Sequence, residues 1–202
     1  MVLLTLSLFA VAPAVAPAQG GLTPEQFAAV DRTLSSFIAL EERSASAAAF
    51  AASRAACRAI ASADPLLGPY RQACTASVKA AASASASADC VGRAVCLRRV
   101  RRTRLEMTNF IARVRAFDAV LGASSLPTGC KQTLRSSKAQ LRLFGRQRDF
   151  WGLLERAIKT RSPTLFRRVD REGIALDRLA ADQPSAKRER KNFRAACAPA
   201  PA

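Results

Sequence analysis

Apolar positions along this chain recur every three or four residues for most of its length, the period of helices buried along one face. The first such run carries Phe27, Val30, Leu34, Phe37 and Ile38. It opens on "GLTPEQF", with Thr23 at the N-cap, Pro24 at the first helical position and Gln26 completing a capping box. Leu22 and Phe27 flank that start as a hydrophobic staple. No proline or glycine follows until Pro65, so the pattern predicts one helix from about 24 to 63.

A Pro-Leu-Leu-Gly-Pro break then occupies residues 65–69, and the chain is symmetric about it. Residues 44–63 and 68–87 are both mostly Ala and Ser, and Cys57 and Cys74 stand equally far from the midpoint. Helices with small facing side chains approach closely, which predicts a hairpin clipped by Cys57–Cys74. The Ala-Ser alternation at 82–88 also has the composition of a flexible linker. Its matched partner stretch favours helix.

Beyond Asp89 the pattern becomes a seam of Val100, Thr103, Met107, Phe110, Val114, Phe117 and Leu121. Cys90 and Cys96 flank Gly92; on an unbroken helix they would sit about 9 Å apart along the axis, so their pairing demands a break near 90–96. Gly122, Pro127 and Gly129 end the segment. Leu134, Leu141, Phe144, Trp151, Leu154 and Ile158 mark a further helix from about 130 to 161. Ser162 and Pro163 restart the chain as cap and first helical residue. Leu165, Val169, Leu176 and Leu179 form the next stripe, which Phe193 and Cys197 continue past Pro184. Cys130 and Cys197 are equidistant from a point between Pro163 and Thr164. The expected fold is all-α: an elongated up-down-up-down bundle of two disulfide-clipped helical hairpins, about 23–122 and about 130–197. Cys90–Cys96 pairs by elimination, and residues 198–202 form a disordered tail.

Composition places this bundle. Residues 2–12 are almost wholly apolar and Ala16-Pro17-Ala18 follows, the pattern of a secretory signal peptide over residues 1–18. Six cysteines in an exported chain read as disulfides, giving an extracytoplasmic location, secreted or in a bacterial cell envelope. Once the signal is cleaved, no integral membrane span is expected.

Charge divides the chain in two. Residues 19–89 hold six basic and six acidic residues, so the net +17 comes from residues 90–202, with 26 basic against nine acidic. The densest runs are "LRRVRRTRL" at 97–105 and "KRERKNFR" at 187–194. Arg98, Arg101, Arg102, Lys187, Arg188, Arg190 and Lys191 are therefore the candidate anion-binding residues, forming one basic face. Solvated helix faces in an arginine-biased genome are the plainer explanation of the same runs. The partners that chemistry implies are an anionic envelope polymer, a glycan or a phospholipid surface, with nucleic acid improbable outside the cell.

Catalytic chemistry has little to stand on. Histidine is absent, which removes the commonest general base and metal ligand, and no cofactor or metal motif is present. A glycosidase needs paired carboxylates, and Glu106 reads instead as an intrahelical partner of Arg102. Phe150 and Trp151 read as core residues, with a hydrophobic binding groove as the alternative. The expected function is a non-catalytic binding protein with a basic face, the alternatives being a membrane-active cationic protein and a carboxylate-dependent cell-wall glycosidase.

Overall fold

A computed structural model describes residues 21–42, 46–86, 90–123, 130–131, 134–181 and 186–199. The expected signal segment lies outside them, as do residues 200–202 of the expected tail. The described chain is all-helical, with α1 at Pro24–Glu42, α2 at Ala47–Arg58, α3 at Gly68–Ser85 and α4 at Arg93–Leu121. Helices α5 at Leu134–Thr160, α6 at Pro163–Ala181 and α7 at Ala186–Cys197 follow. All three expected disulfides form: Cys57–Cys74, Cys90–Cys96 and Cys130–Cys197 have Cα separations of 5.6, 4.7 and 4.7 Å.

Helix α1 begins as its sequence dictates. The Thr23 amide donates to Gln26 Oε1 and the Gln26 amide donates to Thr23 Oγ1, at 3.0 and 3.2 Å. Leu22 is buried in the main core and Phe27 packs against that core. The single long helix predicted to residue 63 is not found. Helix α1 ends at Glu42, and Ser46 in extended backbone caps α2 by accepting from the Ala49 amide. A serine cap with no proline or glycine beside it is enough to start a new helix once tertiary packing favours the bend. The bend lays α2 against α1, where the small Ser53 side chain donates to the Ser36 carbonyl.

The turn into α3 matches the symmetry of the sequence. Asp64 Oδ1 accepts from the Leu66 and Leu67 amides, while Oδ2 accepts from Gln26 on α1. A Cβ on Gly68 would meet the Ser62 carbonyl oxygen at 2.8 Å, so only glycine fits this tight return. Helix α3 extends into the Ala-Ser alternation as far as Ser85. The chain then reverses through the Cys90–Cys96 loop, and Gly92 precedes α4 with φ +82, a conformation that suits glycine.

Helices α3 and α4 run antiparallel, for Tyr70 near the start of one meets Phe117 near the end of the other at 5.9 Å. Helix α5 returns along α4, with Phe110 facing Phe144 at 5.3 Å and Arg101 facing Glu155. The Ser162 cap holds as expected, accepting from the Leu165 amide, and α6 packs back on α5. Helix α7 does not extend that hairpin; it lies on α1, with Phe193 stacked on Phe27 at 5.1 Å. The main core joins α1, α2, α3, the end of α4 and α7 around Val30, Phe37, Ile60, Tyr70, Val78, Phe117 and Phe193. Burial of Phe193 in this core gives α7 a larger apolar partner than α6 offers. A second, smaller cluster of Leu153, Ala157 and Val169 holds α5 to α6.

Candidate functional site

The first basic run lies near the start of α4. Arg98, Arg101 and Arg102 are exposed, as expected from a seam that turns Val100 and Met107 inward. Arg101, however, is engaged: it donates to Glu155 Oε1 at 2.8 Å. Lys159 and Arg104 reach the same carboxylate at 2.7 and 3.4 Å. Glu155 is 7% exposed. Hydrogen bonds from Lys159 and Arg101 hold its carboxyl down to about 2 despite its burial. One acid against three cations leaves the neighbourhood positive.

The second run is organised by α1. Asp31, 9% exposed, takes four hydrogen bonds of 2.7–2.9 Å from the forks of Arg190 and Arg194. Burial alone would raise the Asp31 pKa, but these donors and their charges bring it down to about 2. The paired carboxylate fixes both guanidinium planes on α7. Beside them, Lys187, Arg190, Lys191 and Arg194 join Ser35, Ile38 and Ala39 of α1 in a cleft of about 440 Å³. No carboxylate of the described residues lines it. Arg188 is exposed on the same helix.

The seven candidate residues fall into two groups, Arg98, Arg101 and Arg102 on α4 and Lys187, Arg188, Arg190 and Lys191 on α7. Phe37, the chain neighbour of the cleft's Ile38, lies under Arg113 of α4, with the guanidinium carbon 3.8 Å from the ring centroid. Arg98 stands fifteen residues earlier on α4, about 22 Å along its axis.

A third feature was read from the sequence only as the alternative for the Phe150–Trp151 pair. A groove of about 510 Å³ opens between α4, α5 and the first three helices, walled by Phe37, Phe50, Met107, Phe110, Phe144 and Trp151. Its polar lining includes Arg99, Glu106 and Arg113, spaced by seven along one face of α4. Burial raises the Glu106 pKa to about 7, with no cation lowering it, so the expected pairing with Arg102 does not define this side chain. Arg113 Nε is buried with no hydrogen-bond partner among the described residues. The aromatic pair divides: Trp151 faces the groove, and Phe150 packs on the small α5–α6 core. The sequence did carry a signal, since charged residues seven apart beside an apolar seam must share its face.

Among the described residues Glu106 is the one carboxylate in that lining. Among the described residues no cluster of His, Cys, Asp or Glu could hold a metal ion, and no helix is long and apolar enough to cross a membrane. No family model matches the chain, and no curated protein or solved structure matches it.

Proposed function

We propose that this protein is a non-catalytic extracytoplasmic binding protein that attaches to anionic polymers or surfaces through its basic patches. The observation that carries the reading is the α1–α7 cleft, lined by Lys187, Arg190, Lys191 and Arg194 with no carboxylate among its described lining residues. Asp31 holds two of those cations in place before any ligand arrives, which lowers the ordering cost of binding. Guanidinium forks suit phosphate, sulfate and carboxylate oxygens alike. Three disulfides are compatible with the oxidising location the reading requires.

The test uses the full oxidised chain with three carriers: anionic phospholipid vesicles, zwitterionic vesicles and a carboxylated polysaccharide. Binding to the anionic carriers, weakened severalfold in Lys187→Gln/Lys191→Gln, is the expected result, and preference between them identifies the source. Equal binding to zwitterionic vesicles overturns the proposal. Release of a trapped dye from anionic vesicles points instead to a membrane-active protein.

A further inference from the structure

The groove between α4 and α5 has the composition of a site for a small amphiphile. We infer that it binds a single-chain aliphatic carboxylate, with the chain against the aromatic walls and the head group at Arg113. Its volume of about 510 Å³ lies within the roughly 300–1,000 Å³ of small-molecule pockets. The walls come from four helices besides α4: Phe37 and Leu40, Phe50, Ala81 and Ala84, then Phe144 and Trp151. That is an apolar lining with polar groups confined mainly to one side, the arrangement an amphiphile requires.

Charge decides which amphiphile. Among the described residues the charged groups lining the groove are Arg99, Glu106 and Arg113, all on α4. Helices α1, α2, α3 and α5 present Phe, Leu, Ala, Ser, Gln and Trp there, none of which changes charge near neutral pH. The guanidinium of Arg113 favours an anion over an ammonium head. Arg113 stacks on Phe37 and has a second ring, Phe110, 5.6 Å from its guanidinium carbon. Its buried Nε lacks an acceptor among the described residues, and a carboxylate oxygen supplies one. Glu106, with its pKa raised to about 7, acts as a second donor while protonated. Once ionised it repels the ligand, so affinity falls as pH rises through 7.

Trp151 lines the groove and is the only tryptophan in the chain, so its fluorescence reports occupancy. The probes are dodecanoate, dodecanol and dodecyltrimethylammonium, each below its micelle concentration. The expected result is saturable binding of one dodecanoate per chain, at least about tenfold tighter than dodecanol, as befits a charge-assisted hydrogen bond. Affinity should drop between pH 6 and 8 in the native chain and stay level in Glu106→Gln. Arg113→Met should abolish the preference for dodecanoate over dodecanol. Ala84→Phe should block all three probes from the groove while circular dichroism stays helical, which covers the case in which Arg113→Met fails to fold. Lys187→Gln/Lys191→Gln should bind dodecanoate normally, separating this site from the surface cleft. Tighter binding of the ammonium probe, or dodecanoate binding undiminished by Ala84→Phe, overturns the inference.

Discussion

Glu106 and Asp31 respond to pH in opposite directions, because burial acts alone on one and is outweighed at the other. Between its ordinary 4.5 and about 7, folded Glu106 keeps a proton that the unfolded chain has released. Its contribution to stability therefore falls as pH rises through that window. Glu106→Gln should flatten the melting temperature across the same range, and an unchanged slope would mean that Glu106 is solvated. Asp31 stabilises the fold above its ordinary 3.8, and that contribution is lost as pH falls toward about 2. Asp31→Asn leaves two guanidiniums short of acceptor oxygens and should cost about 2 kcal/mol in denaturant unfolding. Such pairings were invisible along the chain, since Asp31 and Arg190 lie 159 residues apart. What the sequence did show was local: the Thr23–Gln26 capping box and the Ser162 cap are each written within a few residues.

Helix boundaries were legible where breakers or cysteines mark them and obscure where a bend depends on packing. The Gly68 turn and the Gly92 reversal fall where glycine and the cysteine spacing demand them. The bend after Glu42 carries neither proline nor glycine, and only Ser46 marks the restart. Ser46→Ala should destabilise the fold by about 1 kcal/mol through its lost cap, measured by chemical denaturation. No loss of stability would show that packing against α1 alone holds the bend. The disulfides divide similarly. Removing Cys57–Cys74 should cost about 3 kcal/mol and removing Cys130–Cys197 about 4, following the loop lengths they close. The second deletion should also expose α7 amides to hydrogen exchange, because Cys197 and Phe193 tie that helix to the main core. The symmetry of Cys130 and Cys197 located the bond correctly; it did not reveal that α7 crosses to α1, a choice made by Phe193 and Phe27.

Charge asymmetry along the chain becomes two groups of candidate residues in the folded bundle, on α4 and on α7, and its arginines have two kinds of work. Arg101 and Arg190 neutralise buried acids, so neither serves as a neutral surface probe. Lys187 and Lys191 are exposed in the cleft, and exposed substitutions seldom change stability by more than about 0.5 kcal/mol. The decisive measurement is the affinity of the oxidised chain for a carboxylated polysaccharide as a function of salt, compared with Lys187→Gln/Lys191→Gln. The Debye length falls from about 10 Å at 0.1 M to about 3 Å at 1 M, so binding through the cleft should weaken steeply across that range. The double variant should bind more weakly at 0.1 M, with a shallower salt dependence and an unchanged melting temperature. Affinity indifferent to salt, or a variant that binds as tightly as the parent, would contradict attachment through this cleft.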